Sequence, residues 1–393
     1  MPQADHQSRP PKTVLFFQPF AFDMVGGVDV VVERIWRALE AEHPGIATIG
    51  VQDWRFHGDR IDETGRRFLH MNFPAPPEGR ERPPLRYLLS MARRFNSQLR
   101  ELKRLNVGIV NFHYPTLCAY PLVILKKLGL WNGRIVLSFH GSDVLRIDPY
   151  NPRWRLIAEN IDAVTACSNA LAKKVDALHL FRSKAKTIHN GIDPTRFVKE
   201  SDRLPLVAPP YILSVGHFIP RKGQDILLEA ISSLTTKHPY LKVVCAGGPD
   251  NGQWLAKMRE KANSQNLAGR VTFLENLPQT SVSSLMQNAQ CLVHPSREEP
   301  FGLVLIEAAA CGTPLIATRV GGIPEIIPSE EYGWLVENGD ALGLAQAIEQ
   351  AITQPNEAAS RASRMSSRVI SHFSVTAMTQ QYRTLLFTDE EQA

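Results

Sequence analysis

Short runs of consecutive apolar residues alternate with helical patterns along most of this chain. Such runs are typical of strands buried on both faces of a parallel sheet. Those of the first half are TVLFFQPF (13–20), GIATIGV (45–51), VGIVNFHY (107–114), RIVLSFHG (134–141) and AVTACS (163–168). Those of the second half are YILSVGH (211–217), LKVVCAGG (241–248), RVTFLEN (270–276), QCLVHPS (290–296) and TPLIATR (313–319). The pattern predicts an α/β protein with two doubly wound, Rossmann-like domains.

The break between the two series gives the expected domain boundaries. A chain of 393 residues is too long for one ordinary core. The segment VKESDRLPLVAPP carries mixed charge and three prolines, so we expect it to be a linker over 198–210. The expected domains are then 1–197 and 211–372, with a C-terminal helix within 373–393.

Composition narrows the class of protein. Hydrophobic residues make up 44% and charged residues 21%, as in ordinary globular proteins. No apolar run reaches the roughly 18–20 residues of a membrane span, and the first twelve residues lack the apolar stretch of a signal peptide. Five scattered cysteines favour a reducing cytoplasm over disulfides or zinc. The net charge of +5 permits an anionic ligand or membrane surface, without the basic-aromatic cluster expected for nucleic acid.

The segment EEPFGLVLIEAAACG (298–312) places isolated acids in an apolar stretch. It follows a predicted strand, and Pro300 suits the first turn of a helix that Gly312 would end. Glu299 is then expected in the loop at the carboxyl end of the strand, where open parallel sheets bind ligands, and Glu307 inside the helix. The two carboxylates would accept hydrogen bonds from sugar hydroxyls. On local chemistry alone, an equal alternative is that Glu299 caps the helix and Glu307 is solvated.

Several of these segments, in order, resemble retaining glycosyltransferases of family 4, which have the GT-B fold. The resemblance spans about residues 13 to 388. It is carried by GGVDVVVERI (26–35), HGSDV (140–144), HNGIDPTRF (189–197), SVGHFIPRKGQDILLEAI (214–231), the EPFG of 299–302 with Glu307 eight positions after Glu299, and TRVGGIPEII (318–327).

The resemblance implies two Rossmann-like domains that face each other across a cleft, with the C-terminal helix crossing back to the first. It implies a donor site in the second domain and acceptor contacts largely in the first. The catalytic residues would be Glu299, Lys222 and His140. The donor-binding residues would be Glu307, Phe301, Gly302, Leu303, His217, Arg221, Gly216, Gly321 and Gly322. An acceptor or phosphate loop would include Gly26, Gly27 and His113.

Each implied role has a chemical reason. Glu307 would bind the donor ribose, Glu299 the donor sugar near the reacting carbon, and the amides of residues 301–303 sugar hydroxyls and a phosphate oxygen. Lys222 would stabilise the departing diphosphate, so no metal or other cofactor is expected. His140 would reach the donor sugar, whereas Asp143 is expected to cap the turn that follows it. For His113, acceptor contact and a purely structural role are equally favoured.

One position departs from the family pattern. Where the family usually has Arg after the first glycine, this chain has His217, and a neutral imidazole cannot bind two phosphate oxygens as a guanidinium does. Arg221, beside Lys222, is a candidate for the missing charge. The replacement of this Arg by His217 puts the affinity for the diphosphate in question more than it does the family.

The stretch PLRYLLSMARRFNSQLRELKRLN (84–106) predicts an amphipathic helix in the first domain. Arg86, Arg93 and Arg100 recur every seven residues and form a basic stripe, extended by Lys103 and Arg104. Such a helix either lies on anionic lipid or, more commonly, packs with a solvated basic face.

The expected function is therefore retaining transfer of a sugar from a UDP- or GDP-linked donor to a saccharide or lipid-linked acceptor. The expected place is the cytoplasm, with peripheral association at the inner face of the plasma membrane. A nucleotide-sugar epimerase of the same fold and a non-catalytic binding homologue are the alternatives. A pyridoxal-phosphate phosphorylase lacks an identifiable lysine, and no strand is followed by the G-x-G-x-x-G of NAD enzymes.

Overall fold

The computed structural model describes residues 12–19, 26–51, 60–61, 67–71, 85–197, 206–248 and 252–387. The side chains of residues 60, 67, 85–88, 90 and 91 are outside this description. Within these ranges no helix is both long and apolar enough to cross a bilayer. The chain divides into two compact units, which we describe separately.

The first unit contains an eight-stranded sheet. Its strands are β1 (Thr13–Gln18), β2 (Ala47–Val51), β3 (Arg60–Ile61), β4 (Arg67–His70), β5 (Val107–His113), β6 (Arg134–Phe139), β7 (Ala163–Ala166) and β8 (Lys186–Thr187). They lie in the order β3-β4-β2-β1-β5-β6-β7-β8, and only the β3–β4 pair of these is antiparallel. All seven residues of β5 are buried, as expected of a central parallel strand covered on both faces.

The helices of this half are α1 (Gly27–Glu42), α2 (Leu85–Arg104), α3 (Tyr120–Lys127), α4 (Pro152–Asn160) and α5 (Asn169–Asp176). α2 covers the predicted amphipathic stretch. Leu102 is buried against the unit, whereas Arg93 and Arg100 are exposed. Arg86 lies in the helix, but its side chain is outside the described part.

The second unit contains a parallel six-stranded sheet. Its strands are β9 (Ile212–Val215), β10 (Val243–Gly247), β11 (Val271–Glu275), β12 (Cys291–His294), β13 (Leu315–Thr318) and β14 (Trp334–Val336), in the order β11-β10-β9-β12-β13-β14. The helices of this half of the chain are α6 (Gln224–Leu234), α7 (Gln253–Ser264), α8 (Gln279–Asn288), α9 (Leu303–Ala310), α10 (Ile323–Ile326), α11 (Ala341–Thr353), α12 (Pro355–His372) and α13 (Val375–Leu386), the last of which belongs to the first unit from Met378 onward. α6, α7 and α11 pack with the sheet in one apolar core.

The order of this sheet places β9 and β12 side by side, although β10 and β11 come between them in the sequence. Chain order reverses here, because β10 and β11 lie on one side of β9 whereas β12 to β14 lie on the other. In doubly wound sheets, ligands bind at the carboxyl ends of strands where the order reverses. The topology therefore predicts a ligand site at the loops that follow β9 and β12.

The two units do not follow the boundaries expected from the sequence. The second unit takes Ser168–Ala170 and His189–Ala377, and from Met378 onward the described chain packs in the first unit. Residues 189–197, expected in the first domain, belong to the second because they are bonded there. Ile192 bridges Ser374, and the Phe197 carbonyl accepts a hydrogen bond from Gln287.

Candidate functional site

The loop after β9 brings Lys222 over the end of the sheet. Pro220–Lys222 form one 3-10 turn, and Gly223 follows with a φ of 68°. A Cβ on Gly223 would overlap the carbonyl oxygen of Pro295, so both the backbone angle and the close approach require glycine. The aliphatic part of Lys222 lies over Gly216, 3.5 Å from where a Cβ would be.

Lys222 forms an ion pair with Glu299, which follows β12. Lys222 Nζ lies 2.6 Å from Glu299 Oε2, and the two side chains are 18% and 10% exposed. His294, the last residue of β12 and 2% exposed, donates from Nε2 to the same carboxylate oxygen at 2.8 Å. The structure thus joins two sequence-predicted residues, Lys222 and Glu299, to a buried histidine that sequence reasoning missed. The sequence signal for His294 was its position at the end of an apolar run, five residues before Glu299.

These contacts determine the charge of Glu299. Burial by itself would raise the pKa of the carboxyl, but the ammonium of Lys222 and the hydrogen bond from His294 outweigh burial and hold the pKa well below its ordinary value. Burial also lowers the pKa of His294, in spite of the neighbouring carboxylate. Glu299 is therefore ionised and His294 neutral at neutral pH.

The two oxygens of Glu299 are not equivalent. Lys222 and His294 both bind Oε2, whereas Oε1 is bonded to none of the described residues and is not sealed from solvent. Oε1 can accept hydrogen bonds from a ligand while the side chain stays anchored through Oε2. Glu299 is thus placed as a fixed hydrogen-bond acceptor rather than as a cap of the helix.

Arg297 connects the two loops and was also missed from the sequence. Its guanidinium binds both carboxylate oxygens of Asp225 at 2.8 and 2.7 Å, and Nη1 donates to the Pro220 carbonyl at 2.7 Å. Its backbone amide donates to the Arg221 carbonyl at 2.8 Å. The turn that carries Lys222 is therefore held to the loop that carries Glu299 by paired, charge-assisted hydrogen bonds.

The helix that carries Glu307 starts later than expected. α9 begins at Leu303 with Gly302 as its N-cap, and Pro300 lies in the preceding loop, where its carbonyl accepts a hydrogen bond from Ser168. Gly302 has a φ of 113°, so the chain turns into the helix there rather than at Pro300. The end agrees with prediction, because Gly312 follows α9 with a φ of 77°.

α9 starts four residues after Glu299, so its first turn belongs to the same loop region. Phe301 is buried, with its ring 5.8 Å from the rings of His189 and Phe373. The amides of Gly302 and Leu303 are among the first of the helix and have no intrahelical acceptor. Glu307 is half-buried in the middle of α9.

The loop after β13 supports Glu299 through its backbone. Gly321 has a φ of 52°, and a Cβ there would overlap the Glu299 carbonyl oxygen. The Gly322 amide donates to the same oxygen at 3.0 Å. The two glycines, expected beside the sugar or diphosphate, pack against the chain that positions the carboxylate.

His217 and Arg221 are exposed, whereas Lys222 is half-buried in its ion pair. The His217 carbonyl accepts a hydrogen bond from Gln224 at 2.9 Å, which fixes its backbone at the start of α6. Partial burial and the charges of Lys222 and Arg221 lower the pKa of His217. His217 is therefore neutral at neutral pH, and Lys222 and Arg221 are cations close enough to lower its pKa.

In the first unit, His113 is the last residue of β5, His140 directly follows the adjacent β6, and the two contact each other. His113 Nδ1 lies 2.9 Å from His140 Nε2, with the rings stacked at 5.1 Å. His113 is fully buried, and its ring nitrogen Nδ1 contacts His140. Asp143 accepts hydrogen bonds from the amides of His140, Gly141 and Val144, which confirms the predicted cap.

The predicted N-terminal glycine loop lies partly outside the described residues. Gly26 caps α1 and Gly27 is its first residue, whereas residues 20–25 are not described. Beside them, Gln18 Nε2 donates to Asp29 Oδ1 at 2.6 Å, a buried pair that sequence reasoning missed. In the described part of the chain, no group of three His, Cys, Asp or Glu side chains is placed to hold a metal ion.

Two Rossmann-like sheets, the second with a lysine–glutamate pair at its strand ends, define a two-domain α/β protein with a ligand-type site at a reversal of strand order. Comparison with known proteins gives the family. The model of Glycosyltransferase Family 4 matches residues 25–196, and that of Glycosyl transferases group 1 matches residues 199–368. The chain belongs to glycosyltransferase family 4, which confirms the family and the fold predicted from the motifs.

Individual relatives share limited sequence identity with this chain. N-acetyl-alpha-D-glucosaminyl L-malate synthase of Bacillus anthracis is 28% identical over 304 residues, which cover 72% of this chain and 76% of that enzyme. The GDP-mannose-dependent alpha-(1-6)-phosphatidylinositol monomannoside mannosyltransferase of Mycolicibacterium smegmatis is 27% identical, covering 61% of this chain and 67% of that enzyme. The structure of HepE from Anabaena, in complex with UDP, has a TM-score of 0.75 at 20% identity and covers 95% of this chain and 99% of HepE. At that identity, the likeness to HepE shows the fold alone.

Proposed function

We propose that this glycosyltransferase moves a sugar, with retention of anomeric configuration, from a nucleoside diphosphate sugar held by the second unit. The observation that carries the proposal is the pair of Lys222 and Glu299 at the carboxyl ends of β9 and β12, with α9 starting four residues after Glu299. The site has a cation, a carboxylate with one oxygen available and helix amides without intrahelical acceptors, at the point where the strand order reverses. These groups can bind a diphosphate joined to a polyol.

Lys222 is the proposed stabiliser of the leaving diphosphate. Its ammonium has three donors, so it can keep one on Glu299 and direct the others to phosphate oxygens. The amides of Gly302 and Leu303 add the positive end of α9, and Arg221 adds a second cation. Fixed charges of this kind stabilise a leaving group as its charge develops.

Glu299 is the proposed binder of donor-sugar hydroxyls, through Oε1. A carboxylate whose pKa is held low is a weak general base, because the best bases titrate near the working pH. We therefore assign the acceptor's proton to the departing phosphate oxygen, on the same face of the sugar, which is the arrangement that retains configuration. Glu307, deeper in α9, is the proposed ligand of the ribose hydroxyls.

The donor base is proposed as uridine or guanosine. UDP is bound in the HepE structure, and GDP-mannose is part of the name of the mycobacterial relative. The proposed acceptor is a saccharide or a lipid-linked molecule. For the latter, the exposed Arg93, Arg100, Lys103 and Arg104 of α2 would bring the protein to the anionic inner face of the plasma membrane.

The test is incubation with radiolabelled UDP-glucose, UDP-N-acetylglucosamine and GDP-mannose, each with a panel of acceptors. Release of UDP or GDP with label in a larger product is expected, and the anomeric proton coupling in NMR reports the configuration. Interconversion of the sugar without transfer would support an epimerase instead. Binding without turnover would support a non-catalytic homologue, and inversion would refute the retaining mechanism.

A further inference from the structure

Two histidines of the first unit form a hydrogen bond to each other at the carboxyl ends of β5 and β6. His113 Nδ1 and His140 Nε2 are 2.9 Å apart, which is hydrogen-bond distance, so one nitrogen donates and the other accepts. Both rings are neutral at neutral pH. Burial lowers the pKa of His140 to about 4, and burial together with the neighbouring His140 lowers the pKa of His113 well below its ordinary value.

Two neutral rings allow only two arrangements. In one, His140 donates from Nε2, and His113 must then carry its own proton on Nε2. In the other, His113 donates from Nδ1, and His140 must then carry its proton on Nδ1. The environment of the remaining nitrogens decides between them.

His113 Nε2 is sealed from solvent and has no hydrogen-bond partner among the residues that the structure describes. Aromatic rings lie close to this histidine, with ring centroids at 5.7 Å for Phe16 and 5.9 Å for Tyr382. A buried N–H without an acceptor is among the rarest defects in folded proteins, whereas an unused lone pair is better tolerated. The unpaired nitrogen is thus the lone pair, and the proton of His113 is on Nδ1, directed at His140.

The other ring nitrogen of His140 faces outward. His140 Nδ1 is bonded to none of the described residues and is not sealed from solvent, and the side chain is half-buried. Asp143 holds the backbone amides of His140 and Gly141, each at 2.7 Å, and so fixes the turn from which the ring projects. The ring is therefore held at its backbone and at Nε2, with Nδ1 left for a ligand.

We propose that His113 is a positioning residue that holds His140 in the tautomer with its proton on Nδ1, so that His140 offers substrate a hydrogen-bond donor. His140 then recognises an acceptor oxygen, such as a hydroxyl or phosphate oxygen, and does not abstract a proton through this nitrogen. That the ligand is a sugar nucleotide or its acceptor rests on the proposed function. The tautomer itself does not.

The test is a long-range proton–nitrogen NMR spectrum of the free protein labelled with 15N-histidine, because its coupling pattern identifies the protonated nitrogen of each ring. The His140 signals are assigned by their loss in His140→Gln. We expect Nδ1 protonated and Nε2 bare and hydrogen-bonded. Protonation of His140 on Nε2 in the parent would overturn the proposal.

Two variants test whether His113 is responsible. His113→Asp offers only an acceptor, so the proton of His140 should move to Nε2. His113→Leu, close to His in volume, removes the donor, so the Nε2 signal should shift to that of a nitrogen without a hydrogen bond. Ser142→Ala, in the same turn, should change neither signal. An unchanged Nε2 signal in folded His113→Leu would refute the role, even if the aspartate variant does not fold.

Activity gives a separate readout. With the donor found in the transfer assay, His113→Leu should lower kcat/KM about 10-fold, as for one hydrogen bond of ordinary strength. If the protein transfers no sugar, the NMR result still decides the tautomer. If the tautomer is the opposite one, transfer is still measurable and only this inference fails.

Discussion

Replacing Lys222 by methionine tests the charge arrangement at the strand ends directly. Methionine keeps most of the aliphatic length that lies over Gly216 but removes the ammonium that is 2.6 Å from Glu299. The variant thus separates charge from packing. It should affect both stability and catalysis, for different reasons.

The stability effect follows from the burial of the pair. At an effective dielectric constant of about 20, unit charges at this separation attract by about 6 kcal/mol, and the cost of desolvating both ions offsets part of that. Removing one partner of a buried pair costs about 3–5 kcal/mol, because the remaining charge is left buried without compensation. His294 still donates to Glu299, so we expect the lower end, about 3 kcal/mol. The melting temperature should then fall by about 6–12 °C.

The double variant Lys222→Met/Glu299→Gln isolates the cause. With the carboxylate neutralised, no uncompensated charge remains, and most of the lost stability should return. The loss of activity should persist, because the diphosphate still lacks its cation. For the single variant we expect kcat/KM to fall about 10²–10³-fold, the effect of losing one preorganised charge.

The assays are differential scanning calorimetry and release of UDP or GDP with the active donor. Lys237→Met is the matched control, since Lys237 is exposed and paired with Glu349 far from this loop in sequence; it should leave both measurements at parental values. A Lys222→Met protein with parental melting temperature and rate would refute the assigned charge arrangement. So would a double variant less stable than the single one.

Four other perturbations have defined outcomes. Glu307→Ala should chiefly raise the dissociation constant of the donor, by about 1.5–3 kcal/mol for each ribose hydroxyl that no longer has a charged acceptor, and an unchanged constant by calorimetry would exclude the ribose role. Changing Arg86, Arg93 and Arg100 to Ser should weaken sedimentation with anionic vesicles by about 1 kcal/mol per charge, with neutral vesicles as the control; equal binding would return α2 to a purely structural role. Transfer should survive EDTA, and activity lost to EDTA and restored by Mg²⁺ or Mn²⁺ would contradict a metal-free leaving-group site. Because the pKa of His140 is lowered from 6.5 to about 4, the unfolded chain binds the extra proton first, so stability should fall as pH drops from about 6.5 towards 4, with a smaller slope in His140→Gln.

Local patterns in the sequence were sufficient to predict much of the fold. Continuous apolar runs predicted the parallel strands because a strand covered on both faces needs apolar side chains at every position. Gly312 and Asp143 were predictable as a helix end and a turn cap, since both depend on neighbours only a few residues away. Motif order identified the family. None of these inferences required knowledge of which strands are adjacent.

Tertiary structure decided the contacts that define the candidate site. Lys222 and Glu299 are 77 residues apart, and they meet only because β9 and β12 are neighbours in the sheet. Arg297 and Asp225 are 72 residues apart and depend on the same adjacency. His294 was inconspicuous at the end of an apolar strand until its ring was placed against the carboxylate.

Tertiary contacts also decided where α9 starts and where the chain divides into two units. Pro300 is chemically suited to a first helical turn, but the carbonyl it presents to Ser168 and the φ of Gly302 delay the helix to Leu303. Residues 189–197 resemble the end of the first domain in sequence, yet their hydrogen bonds lie in the second unit. Patterns along the chain determine which segments become strands and helices, because propensity and capping act over a few residues. Which of their side chains meet depends on strand order and loop packing, and those are properties of the folded chain.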